Sequence, residues 1–172
     1  MDADRRTIAD GGVAIQDGKV LSIGERDQVA NQFASTKTID TTGCVITPGL
    51  INAHQHTTAD PLARGFIPDG LDHHTLIGHW LHALHSVESE QDEALAALLC
   101  CAEMLRYGTT AFLEAGTSWS ARAVAEAAER TGILGVTGKR VADTPHSPPQ
   151  FRRSTDQALT ALEDAVNEVQ SI

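Results

Sequence analysis

The sequence predicts an α/β fold: a parallel sheet with helical crossovers, preceded by a small antiparallel β-unit. Three observations carry this. After residue 48, short apolar strands alternate with stretches of helical period. Before it lies a hairpin signal, Val13 to Gln16 and Lys19 to Gly24 around Asp17-Gly18. With 172 residues, 41% of them apolar, the chain is large enough for one core of ordinary size.

Taken in order, Asp17-Gly18 favours a type I′ turn, whose twist matches paired strands. Residues 37–39 and 44–46 read as two further short strands, so residues 1–47 form the antiparallel unit. Residues 50–53, Leu-Ile-Asn-Ala, form an apolar strand opened by Pro48-Gly49. Residues 57–72, with two prolines and two glycines, read as a long loop, and residues 75–86 as a helix. A stronger helix covers 89–107. Ser89 and Asp92 start it, Leu95, Leu98, Leu99, Ala102 and Leu105 share one face, and Gly108 stops it. Residues 109–113 are a strand, 118–131 an Ala-rich helix closed by Gly132, and 133–137 another strand. A Pro-rich loop at 144–150 leads to a last helix at 154–169, with Ser154 and Gln157 as its capping box.

Composition narrows the function. The net charge is −10 with no Lys/Arg run and only 4% aromatic residues, which speaks against a nucleic-acid partner. Cys44, Cys100 and Cys101 are an odd number without a C-x-x-C, so neither a disulfide framework nor a thiolate metal site is expected, and a reducing, cytoplasmic setting fits. No apolar segment has the length of a signal peptide or a membrane span.

The chemistry concentrates at strand ends, where parallel sheets place their ligands. His54 and His56 follow the 50–53 strand. Residues i and i+2 on a strand face the same way, so two imidazoles can converge on one cation. The other reading is that eight histidines in the chain produce such a spacing by chance. Glu114 follows the second strand and either meets a substrate or caps a helix; Lys139 and Arg140 follow the third. His79, His82 and His85 cover a broad helical arc and read, with His73 and His74, as solvated or pocket-rim residues. Trp80 is either ordinary helix packing or an aromatic wall for a flat substrate.

Four stretches taken together are more specific: TTGCVITPGLINAHQH, then LARG, HWL and AEMLRYGTTAFLEAGT. They resemble the amidohydrolase superfamily, in particular its cytosine-deaminase-like and s-triazine hydrolase branch, which includes chlorohydrolases and S-adenosylhomocysteine deaminases. The likeness runs over nearly the whole chain. It implies a partial TIM (β/α)₈ barrel, strands one to three, in residues 48–172, preceded by part of a β-sandwich domain in residues 1–47. It also implies a clipped beginning, with Met1 an internal methionine.

By this resemblance His54 and His56 hold one divalent metal, zinc or iron, and Gln55 fills a variable middle position. Trp80 and Glu114 are candidate substrate-binding residues. Relatives complete the site with two further histidines, a late aspartate and a proton-shuttling glutamate, all at positions beyond Ile172. The implied reaction is hydrolytic deamination or dechlorination of a small heterocycle, with the segment inactive alone. A complementing C-terminal half is the implied partner, and the open edge of the third strand makes a homo-oligomer a second expectation. A non-enzymatic His-rich metal-binding module and a degenerate fragment are the competing readings.

Overall fold

The computed structural model describes residues 4, 6–145, 147 and 151–172. The chain forms two compact units, residues 1–48 and Gly49–Ile172.

In the first unit, β1 (Gly11–Gln16) pairs antiparallel with β2 (Lys19–Glu25). Asp17 and Gly18 both take positive φ, 51° and 73°, as a type I′ turn requires. A helix the sequence reading did not assign, α1 (Arg26–Gln32), follows directly and buries Val29 against Gly12 and Gly24 of the hairpin. The strands expected at 37–39 and 44–46 do not form. A strand needs a partner for its ladder, and none pairs with these segments among the described residues. Local bonds compete instead: the Asp40 carboxylate accepts from the Thr42 N–H and hydroxyl, and the Cys44 N–H bonds back to Thr41. Ile39 and Val45 are left exposed.

In the second unit, β3 (Leu50–Gln55), β4 (Thr109–Glu114) and β5 (Leu134–Val136) form a parallel sheet in that order. Phe112 pairs with Asn52 on one side and Gly135 on the other. One sheet face packs on α5 (Glu90–Arg106) and α6 (Ala121–Thr131). The core there is Ala97, Cys100, Cys101 and Met104 of α5, Val124, Ala127 and Ala128 of α6, with Phe112 and Ile133. On the other face Ile51, Leu134 and Val136 are mostly exposed.

The buried stripe of α5 corrects the sequence reading. Glu93, Ala96, Ala97, Cys100, Cys101 and Met104 face the core, while Leu95, Leu99 and Leu105 stay outside. Small side chains let α5 and α6 approach closely, and bulk alone misidentified the inner face. Burial raises the thiol pKa of Cys100 to about 12 and of Cys101 to about 11, so both behave as small apolar groups.

The helix starts follow the local code. Ser89–Asp92 and Ser154–Gln157 both form capping boxes, opening α5 and α7 (Thr155–Val169). Ser120 caps α6, and Gly132 ends it at φ 75°. The expected loop at 57–72 contains one short helix, α2 (Ala59–Ala63). Residues 73–87 are helical throughout: α3 (His73–Thr75), a π segment (Leu76–Leu81) and α4 (His82–Val87). Of the expected loop at 144–150, residues 146 and 148–150 lie outside the described residues. Among the described residues, no helix is long and apolar enough to cross a membrane.

The sheet-to-helix contact supplies a first test. A Cβ on Gly135 would lie 2.6 Å from the Phe112 ring and 3.4 Å from Ala128 Cβ. Gly135→Ala therefore overpacks the core and is expected to cost about 1–3 kcal/mol, read as a lower urea midpoint.

Candidate metal centre

The site begins where β3 ends. Asn52 Nδ2 donates to Gln55 Oε1 at 2.7 Å, and the His54 N–H donates to Asn52 Oδ1 at 3.1 Å. Gln55 Nε2 donates to Asp60 Oδ2 at 2.9 Å. Gln55 is buried and tied down, so the alternation of the strand turns its two neighbours to the opposite side. His54 Nε2 and His56 Nε2 then face each other at 3.2 Å, their rings edge to face at 79°.

That spacing suits a shared cation. A tetrahedral ion about 2.0–2.1 Å from each nitrogen separates the two by about 3.3 Å. Both donors are imidazoles, the ligand type that suits zinc, iron and nickel. Two ligands are short of the three or four that zinc takes from a protein. Among the described residues no cluster of three His, Cys, Asp or Glu side chains could complete the set.

Behind His56 lies a polar chain that runs from half-buried Thr117 to buried Glu114. His56 Nδ1 is 3.0 Å from Thr117 Oγ1, which donates to Glu114 Oε1 at 2.8 Å. Glu114 Oε1 also accepts the Thr117 N–H at 3.0 Å, and Oε2 accepts the Thr57 N–H at 2.6 Å. The Glu114 carboxyl is thus buried and engaged through both oxygens by its own chain. The loop after β3 meets the loop after β4 here, joined also by the Ala115 N–H to Gln55 carbonyl bond at 2.8 Å. Thr57 is fully buried, and its hydroxyl is the one side-chain polar atom among the described residues that is buried without a partner.

Glu93 fixes the same two loops from below. It is 2% exposed and accepts from the Trp119 N–H at 3.0 Å, the Ser120 N–H at 2.8 Å and the Thr58 hydroxyl at 3.3 Å. Burial raises its pKa, opposed by the bonds from Trp119 and Ser120.

A second cluster forms near the end of β5. His85 Nδ1 is 2.6 Å from Glu88 Oε1, and both side chains are buried. Arg140 Nη1 is 3.3 Å from His85 Nε2, and the guanidinium lies 4.9 Å above the Trp119 ring. Phe151 stacks on Trp119, their planes within 8°. Lys139 Nζ donates to the Trp119 carbonyl at 2.7 Å. Burial lowers the pKa of Arg140, partly opposed by Glu88. A cavity of about 360 Å³ adjoins this cluster, lined among others by Glu88, Trp119, Lys139 and Phe151.

The structure thus brings His54, His56 and Glu114 into one chain of contacts. The half-buried Trp80 ring packs edge to face on Phe66, centroids 5.5 Å apart. Of the histidines expected to be solvated or at a pocket rim, His85 is not solvated: it is buried and points inward to Glu88 and Arg140, beside the cavity that Glu88 and Trp119 line. His74 and His79 neighbour each other with centroids 6.1 Å apart, and His79 is exposed.

Sequence reasoning missed Glu93, Thr117 and Trp119. For Glu93 a signal existed: it sits three, four, seven and eight residues before Ala96, Ala97, Cys100 and Cys101, on the small-residue stripe of α5. For Thr117 there was none, since its partner His56 is 61 positions away.

The chain is similar in sequence to known proteins. The sequence pattern of the amidohydrolase family matches residues 45–171. A 5-methylthioadenosine/S-adenosylhomocysteine deaminase of Syntrophobacter fumaroxidans is 36% identical over 155 residues, which cover 87% of this chain and 34% of that protein. A protein of the same name from Nitratidesulfovibrio vulgaris is 40% identical over 111 residues, 64% of this chain and 25% of its own. A 5'-deoxyadenosine deaminase of Methanosarcina barkeri is 39% identical over 114 residues, 66% of this chain and 25% of its own. The chain spans a quarter to a third of the length of these curated relatives. The matched region holds β3, β4, β5 and the converging histidines, and the chain belongs to the amidohydrolase family.

Proposed function

We propose that this chain is the first part of a metal-dependent amidohydrolase that removes the amino group of an adenosine-like nucleoside by hydrolysis. The observation that carries the proposal is the 3.2 Å approach of His54 and His56 Nε2 at the end of β3. The names of the relatives favour deamination over dechlorination and a nucleoside over other heterocycles. On this reading β3, β4 and β5 are the first three strands of a (β/α)₈ barrel. The uncovered Ile51, Leu134 and Val136 belong to its interior, and residues 1–47 to a β-sandwich domain.

His54 and His56 would hold one divalent ion, zinc or iron, and when bound that ion supplies Lewis acidity at neutral pH. The chain's own residues do the positioning. Gln55 and Asn52 fix the strand end, Thr117 orients the His56 ring, and Glu93 locks the two loops together. The remaining ligands and the proton-transferring group come from chain beyond these residues or from a complementing half, since two imidazoles leave the coordination unfinished.

The test is ammonia release. The 172-residue chain, loaded with zinc or iron(II), is incubated with adenosine-type nucleosides. No metal-dependent ammonia above background is expected. The same segment in a polypeptide extending to the length of its relatives should release ammonia and lose that activity with His54→Ala. Ammonia at ordinary enzyme rates from the 172-residue chain would overturn the incompleteness. An extended, metal-loaded polypeptide active only on chlorinated rings would overturn the deaminase assignment.

A further inference from the structure

We infer that the Thr117 hydroxyl, held by Glu114, sets the tautomer of His56 and so directs the lone pair of Nε2 toward His54. Thr117 is a positioning residue in this account, and its bearing on metal affinity rests on the reading of His54 and His56 as ligands.

A backbone N–H can only donate, so the Thr57 N–H at 2.6 Å and the Thr117 N–H at 3.0 Å make both Glu114 oxygens acceptors. A threonine hydroxyl has one proton. With Glu114 as a carboxylate, which has no proton to give, Thr117 spends its own on Glu114 Oε1 at 2.8 Å. Toward His56 Nδ1, 3.0 Å away, the hydroxyl then has only lone pairs. Nδ1 must carry the hydrogen and donate it. In a neutral imidazole that leaves Nε2 unprotonated. Nε2 is the atom that faces His54 at 3.2 Å.

The backbone makes this arrangement possible. Gly116 takes φ 79°, which bends the chain after β4 so that both the N–H and the hydroxyl of Thr117 return to the same oxygen of Glu114. The loop is tight: a Cβ on Gly138 would lie 3.2 Å from Gly116 Cα. Glu114 thereby acts behind His56, as the carboxylate end of a carboxylate–hydroxyl–imidazole chain. Outer partners of this kind orient ligating histidines and raise their basicity.

The experiment is nitrogen NMR of the histidine rings in the whole 172-residue chain, at about pH 8, above the ordinary imidazole range. Wild-type His56 should be the Nδ1–H tautomer. Thr117→Val, which keeps the shape and removes the hydroxyl, should give a mixture of tautomers. Thr117→Ser should restore the wild-type signal. Zinc affinity, titrated in parallel, should fall about 10–100-fold in Thr117→Val and recover in Thr117→Ser. A wild-type His56 in the Nε2–H form would overturn the inference without any variant, even if Thr117→Val fails to fold. So would an unchanged tautomer in a folded Thr117→Val. A wild-type chain with the Nδ1–H tautomer and no zinc at His54 and His56 would sink the metal reading alone and leave the role of Thr117 standing.

Discussion

Replacing Glu93 by alanine is expected to destabilise the chain by about 3–5 kcal/mol, a large share of the 5–15 kcal/mol typical of a domain. The substitution strands the N–H groups of Trp119 and Ser120 and the hydroxyl of Thr58. Each buried donor without an acceptor costs about 1–3 kcal/mol, and the lost side chain leaves a cavity as well. Those three donors sit in the loops after β3 and β4, so local damage reaches the candidate metal centre. Chemical unfolding followed by circular dichroism measures the cost.

The same carboxyl gives the stability a pH dependence of defined sign. Burial raises the pKa of Glu93 above its ordinary 4.5. A group whose folded value is raised binds its proton more tightly in the fold. Its contribution is therefore complete below about 4.5 and is lost as pH rises through the folded value. Glu93→Gln cannot ionise and keeps one acceptor oxygen. It should cost less than alanine and flatten stability over that window. An unchanged slope in Glu93→Gln would show that Glu93 is not the source.

The second large effect is on metal binding. His54→Ala or His56→Ala removes one of the two imidazoles that meet at 3.2 Å. Either change is expected to weaken zinc binding by more than about 100-fold, beyond the 10–100-fold that loss of an outer partner costs. Neither residue belongs to the buried core cluster, so the fold should survive. His79→Ala and His82→Ala should leave affinity unchanged, because these helical positions are remote in sequence and absent from the contacts of the pair. Equilibrium dialysis with metal analysis separates the four variants.

How much of this was legible in the sequence depends on how local the signal is. Asp17-Gly18, Ser89 with Asp92, Ser154 with Gln157, and Gly132 each act within a few residues, and each appears in the structure as read. The convergence of His54 and His56 is equally local, following from their i, i+2 spacing at a strand end. Strand pairing is not local. Residues 37–39 and 44–46 have strand composition but no partner among the described residues. The inner face of α5 was misread because close helix packing selected alanine and cysteine over leucine. The small-residue stripe places Glu93 on the inner face of α5, but the partners that Glu93, Glu114 and Thr117 find 26 to 61 positions away are written in no local pattern. The polar network around the pair therefore became visible only in three dimensions.

The most direct test of the central claim is X-ray absorption at the zinc edge on the metal-loaded chain. One zinc per chain is expected, with two imidazole nitrogens at about 2.0–2.1 Å and water oxygens in the remaining places. That signal should be lost in His54→Ala. Sulfur ligands, several zinc ions per chain, or a two-imidazole signal that survives without His54 would contradict it.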